Sequence, residues 1–197
     1  MSSDPPVPGQ TPLDDLSGLR IRGITNMAEL SAAEAENIRK ATIKYLAARP
    51  TRRSARFDVL WMRKLHIKMF GEVWSWAGSY RKHETNIGSL PHQIDIDLHS
   101  LAENLIVWKQ SGMPLLEQAV RLHHAAVRIH PFPNGNGRWS RMLASIWLKL
   151  HGASVIEWPE TIIGTASTIR GEYLSAVRAA DGGDYSPLLA LHQRFFQ

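Results

Sequence analysis

Apolar residues recur at helical spacing through most of this chain, and the intervals between the stripes are punctuated by Gly and Pro. From 57 to 70, Phe57, Leu60, Trp61, Leu65 and Met69 share one face, and Gly71 is placed to stop the helix. Ile94, Leu98, Leu101, Leu105 and Trp108 predict a second helix over 92–110, and the same period returns over 115–130. Met142, Leu143, Ile146, Trp147 and Leu150 mark another that ends near Gly152. Earlier in the chain, Ser31 with Glu34 has capping-box spacing, which predicts a helix from there to about Ala48, closed by Pro50. Two shorter helices fit 159–179 and 186–195, on either side of Asp181-Gly182-Gly183-Asp184.

Two stretches break the pattern. Residues 1–20 are rich in Pro, Asp and Ser and read as a mobile or draped arm. The run Val73-Trp74-Ser75-Trp76-Ala77-Gly78-Ser79-Tyr80-Arg81 is aromatic and short, and 80–92 reads as an irregular loop or small hairpin. The expected fold is therefore all-α with one small extended excursion. Its parts are an arm over 1–20, a helix within 21–50 and the main domain over 51–197.

Composition narrows the function. At 197 residues, 44% hydrophobic and 21% charged, the chain has the make-up of a globular domain. It has no cysteine, which excludes a disulfide framework, a zinc-thiolate site and a thiol nucleophile. No apolar run approaches the roughly 20 residues of a membrane-spanning helix, and a cytoplasmic location is expected. The formal charge of +5 favours anionic partners, but the basic residues are scattered and no helix-turn-helix, finger or RNA-binding pattern occurs. Nucleic acid is an unfavoured partner.

Candidate chemistry concentrates in His130-Pro131-Phe132-Pro133-Asn134-Gly135-Asn136-Gly137-Arg138-Trp139-Ser140-Arg141. Pro131 discourages continuation of the preceding helix, so His130 stands at its end, beside a glycine loop that opens the next helix. A helix N-terminus presents unpaired N–H groups and the positive end of the dipole to an anion. Neutral histidine can take a proton from an attacking hydroxyl. Arg138 and Arg141, three apart, share the face of the first helical turn, where an anion between them offsets their conflict with the dipole. Asn136 suits either a phosphate contact or the helix N-cap. Phe132 suits a core anchor, and His123 with His124 reads as packing more readily than as a metal pair.

These residues resemble the signature of Fic-domain proteins, which transfer AMP from ATP to protein hydroxyls. The likeness extends to Trp76-Ala77-Gly78-Ser79-Tyr80-Arg81, similar to the segment before the Fic flap hairpin, and to Gly183-Asp184-Tyr185-Ser186-Pro187-Leu188 near the domain's end. It covers roughly 55–195, and the subgroup is similar to the "mobile mystery protein B" type. The resemblance implies a Fic-like helical domain with a small β-hairpin flap, carrying Thr85, Asn86, Ile87 and Gly88, which aligns the target chain. It implies His130 as general base and Arg138 as a second catalytic group on the β-phosphate. Gly135, Asn136 and Gly137 would cradle the phosphates, and Arg141 would meet the γ-phosphate. ATP and Mg²⁺ are the implied cofactors, and a Ser, Thr or Tyr hydroxyl of a target protein the acceptor. An antitoxin or other inhibitory partner is a further implied partner.

The chain departs from that pattern in two places. Position 134, where the family has an acidic Mg²⁺ ligand, is Asn134, whose uncharged oxygen should hold the ion more weakly. This leaves open a weakly active nucleotide-binding interaction module, or a different nucleotidyl or phosphoryl transfer on the same scaffold. The family's inhibitory helix carries Ser/Thr-x-x-x-Glu-Gly/Asn. Glu36-Asn37 fits its end with Ala32 at the first position, whereas Thr25 and Glu29 keep the spacing but precede Leu30. Glu36 is the expected inhibitory residue.

Overall fold

The computed structural model describes residues 16–159 and 167–196. Among these are seven helices: α1 (Met27–Leu46), α2 (Val59–Phe70), α3 (Ile94–Gln110), α4 (Leu115–Ile129), α5 (Asn136–Leu150), α6 (Thr168–Asp181) and α7 (Ser186–Arg194). The all-α reading holds, with α4 and α5 forming the central hairpin. α1 packs on α2 and α5, α3 packs on α4, and α6 with α7 cover the other flank of α4. One core runs through α1–α5, and Phe132, Trp139, Leu143, Ile146, Leu65 and Phe70 are fully enclosed in it.

Capping chemistry explains where the helices begin. Asp58 accepts the Trp61 N–H at 2.7 Å, so α2 starts at Val59, two residues after Phe57. α1 begins at Met27 rather than near Ser31. Its cap is Asn26, which accepts the Glu29 N–H at 3.0 Å, while Glu29 reaches back to the Thr25 N–H at 2.7 Å. The Ser31/Glu34 spacing is thus not a cap, and Glu34 is turned inward.

The segment 82–90 forms bends and coil, without strands, so the flap is not a paired hairpin. Pairing among the described residues is limited to two isolated bridges, Leu19 with Trp74 and Ile156 with Phe196. The first belongs to the end of the N-terminal arm: Arg20 N–H donates to Val73 at 2.8 Å and Ser75 N–H to Gly18 at 2.8 Å. Residues 18–20 are therefore laid against the aromatic segment, and residues 1–15 lie outside the described part.

Candidate active site

The end of α4 and the start of α5 are joined by six residues, and each turn of that loop is held by a named contact. His130 caps α4 in the left-handed region, φ 50° and ψ 57°, which is costly for a residue with a Cβ. The conformation is fixed from outside by Arg81. Its Nε donates to the His130 carbonyl at 2.7 Å and its backbone N–H to the Pro131 carbonyl at 2.9 Å. The rest of the Arg81 guanidinium donates to the carbonyls of His83 and Ser89, and the Ser89 N–H donates to Ile129 at 3.1 Å. Arg81 thus staples both ends of segment 82–89 to the His130 turn.

Gly88 crosses directly over that turn. With φ at +120°, any Cβ placed there would stand 2.9 Å from the His130 Cβ and 2.5 Å from an Arg81 nitrogen, so only glycine fits. Thr85 turns its hydroxyl onto the Ile87 carbonyl, and the Ile87 side chain is exposed. Asn86 lies between them in the bend.

Phe132 anchors the loop, fully buried with its ring edge-on to Trp139 and stacked on His66 at 3.7 Å between centroids. His66 accepts the Gly78 N–H on Nδ1 at 3.0 Å. Its Nε2–H therefore donates to the Asn134 carbonyl, also at 3.0 Å. Burial holds the His66 imidazole at a pKa of about 3, so it stays neutral and keeps this tautomer. Asn136, expected at a phosphate or as N-cap, is not the N-cap. Its amide is buried and clamps both the N–H and the carbonyl of Phe132, at 2.9 and 2.8 Å. The N-cap position falls to Gly135 at φ +81°, where a Cβ would also strike the Phe70 ring at 2.6 Å.

Helix geometry leaves the N–H groups of Asn136, Gly137 and Arg138 without acceptors in α5. Gly137 is under no steric compulsion: a Cβ there meets only Arg141, at 3.4 Å. Its missing side chain is open space beside two arginines. Arg141 is buried, with its guanidinium 5.9 Å from the Tyr173 ring centre. Arg138 lies over the Phe70 ring at 4.9 Å and is partly exposed.

The family resemblance implies a carboxylate on the second arginine, Arg141, whereas the contact the structure shows is on Arg138. Its Nη1 meets the Glu34 carboxylate at 2.6 Å, and the other Glu34 oxygen accepts the Trp74 indole N–H at 2.7 Å. Glu34 is buried in this double contact. Glu36 faces solvent and pairs with Arg39 at 2.7 Å, while Glu29 is occupied by Thr25. The linear motif points to Glu36, and the carboxylate that the structure brings to Arg138 is Glu34. The signal was there in the face of α1: Leu30, Glu34, Asn37, Ala41 and Tyr45 form one inward stripe, and Glu36 lies off it.

The His130 imidazole is buried, and its Nδ1 has no hydrogen-bond partner among the described residues. Burial lowers its pKa to about 4, the nearby Val127 backbone carbonyl opposes this, and the Arg81 charge pushes the same way as burial. His123 and His124 are by contrast fully engaged. His123 bridges His192 at 2.8 Å and the Tyr173 hydroxyl at 3.0 Å, and His124 bridges Tyr185 and Asp181.

The residues present do not fit a protein-held divalent cation. Asn134 offers one uncharged oxygen, and that oxygen already accepts the Gly135 N–H at 2.6 Å. No group of three metal-ligating side chains occurs among the described residues.

A neutral histidine beside a glycine loop, a helix N-terminus and two arginines is an arrangement that can receive a phosphate group. Residues 56–148 match the family model of the Fic/DOC family. Curated relatives include a protein adenylyltransferase Fic of Aedes aegypti, 27% identical over 154 residues, spanning 76% of this chain and 30% of the relative. A protein adenylyltransferase fic-1 of Caenorhabditis briggsae is 28% identical over 118 residues, 57% of this chain and 22% of the relative. The chain thus spans less than a third of the length of these relatives. Among solved structures, the BepC protein of Bartonella tribocorum with bound AMPPNP shares the fold at a TM-score of 0.67 and 20% identity, over 89% of this chain and 90% of that one. Fic-1 of C. elegans (residues 134–508) matches at 0.70 and 20% identity, over 91% and 52%.

Proposed function

We infer that this chain transfers AMP from ATP to a Ser, Thr or Tyr hydroxyl of a target protein. The observation that carries the reading is the neutral His130 imidazole held at the mouth of the α5 N-terminus. The target oxygen attacks the α-phosphorus, the bond from that phosphorus to the bridging oxygen breaks, and pyrophosphate leaves. His130 takes the hydroxyl proton. The first-turn amides of α5 and the two arginines receive the phosphate charge, Arg138 at the β- and Arg141 at the γ-phosphate. The passage of Gly88 over His130 brings a main-chain edge to the base, which suits alignment of an extended target segment. The names of the curated relatives support the same activity.

Magnesium, the metal that accompanies ATP in the family resemblance, finds at most one neutral oxygen here, at Asn134. That observation favours a second reading, an interaction module that binds nucleotide and turns over slowly. Glu34 supplies internal restraint: Arg138 must release this carboxylate before it can serve a phosphate.

Incubation with ATP labelled at the α- or γ-phosphate tests the assignment. Protein label from the α-position alone, lost in His130→Ala, is the expected result. Label from the γ-position points to phosphorylation instead, and nucleotide binding without either label leaves the module reading.

A further inference from the structure

The opposite end of α5 carries a second feature that the transfer chemistry does not use. Fifteen helical residues run from Asn136 to Leu150, so this end lies about 20 Å from the glycine loop. There the loop after α1, the last turn of α3 and the end of α5 enclose a cleft of about 330 Å³, lined by Arg49, Thr51, Arg52, Lys109 and His151 among others. No carboxylate lines it, and none of its three cations forms an ion pair among the described residues.

The cations are arranged rather than scattered. Arg49 Nε donates to the Leu150 carbonyl at 3.2 Å, which fixes the guanidinium plane and leaves its terminal nitrogens for a ligand. Gly152, at φ +85°, lets that plane lie against the backbone, since a Cβ there would sit 3.3 Å from the guanidinium carbon. His151 donates from Nδ1 to the Trp147 carbonyl at 2.9 Å, so Nε2 is its remaining nitrogen. After burial, the charges of Lys109, Arg52 and Arg49 each depress the His151 pKa, so the three cations act on one point.

Basic residues at helix C-termini are common because they complement the dipole, so the magnitudes decide. The ends of α1, α3 and α5 supply roughly −0.5 charge each, about −1.5 together, against three full positive charges. A surplus of more than one charge remains in a concave site of ligand-binding size. We propose that this cleft is a second anion site, which takes a compact ligand through a phosphate or diphosphate group. The planar Arg49 fork accepts two phosphate oxygens, with Arg52 and Lys109 closing from the sides. The source of the group, free pyrophosphate or the tail of a nucleotide, is left to the experiment.

Backbone amide NMR of the full chain, titrated with inorganic pyrophosphate and in parallel with ADP, provides the test. Signals of Thr51 and Gly152 should shift to saturation, independently of those of Gly135 and Gly137. Combined Arg49→Gln and Arg52→Gln should weaken the shifts at Thr51 and Gly152 at least tenfold while Gly135 and Gly137 respond as before. Lys109→Gln, which breaks no hydrogen bond seen in the structure, should weaken them several-fold and guards against misfolding of the double variant. Equal response to both ligands assigns the site to the phosphates alone, and a tighter ADP response assigns it to a nucleotide. Unmoved signals at Thr51 and Gly152, shifts that never saturate, or an unchanged response in the variants overturns the proposal. So does a short RNA that shifts a surface wider than the cleft while pyrophosphate shifts nothing.

Discussion

Two buried histidines flank the same loop and differ in what their nitrogens meet. His66 has both engaged, one by the Gly78 N–H and one by the Asn134 carbonyl, with its ring stacked on Phe132. His130, on a left-handed cap under Gly88, has a buried Nδ1 with no partner at good hydrogen-bond geometry. Burial keeps both neutral at pH 7, with pKa values of about 3 and about 4. Neutrality alone therefore does not mark a base. The closed network holds the loop, and the open one keeps capacity for a proton that the protein itself does not supply.

Acid should break both at once. Each imidazole is neutral when folded and has an ordinary pKa near 6.5 when unfolded, so below that value the unfolded chain binds more protons. The stability is present in full above pH 6.5 and falls as pH drops toward 4, by about 1.4 kcal/mol per unit for each histidine at full slope. His192, held at about 4 chiefly by burial, adds to the same slope. Urea denaturation at pH 7, 6, 5 and 4.5 should show the midpoint falling steeply below 6.5. A midpoint unchanged across that window would contradict the buried, neutral state of both residues.

Substitution should then separate them. His130→Asn keeps a residue tolerant of the left-handed region and removes the base. Transfer from α-labelled ATP should drop by about 10²–10⁴-fold, while stability falls by about 1 kcal/mol. His66→Ala leaves the Gly78 N–H without an acceptor, frees the Asn134 carbonyl and empties the space against Phe132. It should cost about 2–4 kcal/mol of stability, read by thermal unfolding. Comparable destabilisation by the two variants would erase the distinction between them.

Much of this was legible along the chain because the signals are local. The stripes of α2 to α5 gave boundaries within about two residues, since a helix period and its stops are sequence-near properties. The twelve residues from His130 to Arg141 announced the loop, its glycines and its cations for the same reason. What was not legible is long-range. That the Asn136 amide closes on Phe132 has no signal in its sequence neighbourhood. His66 and Arg81 reach the loop from 68 and 49 residues away, through backbone groups that have no sequence signature. Segment 82–90 reads as an irregular loop or a small hairpin, and the structure shows the loop. Arg81 takes up the carbonyls of His83 and Ser89 that a ladder would need.

Glu34 and Glu36 repeat the contrast between closed and open on one helix. Two residues apart, they point to opposite sides of α1: Glu34 is sealed between Trp74 and Arg138, and Glu36 is paired with Arg39 in solvent. If Glu34 restrains Arg138, ATP must displace a charge-assisted hydrogen bond before Arg138 can reach a phosphate. Glu34→Gln keeps an acceptor for the buried Trp74 indole and removes the charge that competes with the phosphate. The difference between a charged and a neutral bond is about 1.4 kcal/mol, so ATP should bind about tenfold more tightly and self-modification at low ATP should rise to match. Glu36→Gln loses only an exposed pair and should change neither. Titration calorimetry with ATP, beside labelled self-modification, distinguishes the outcomes. A gain with Glu36→Gln and none with Glu34→Gln would return the restraint to the linear motif and leave the Arg138 contact as packing.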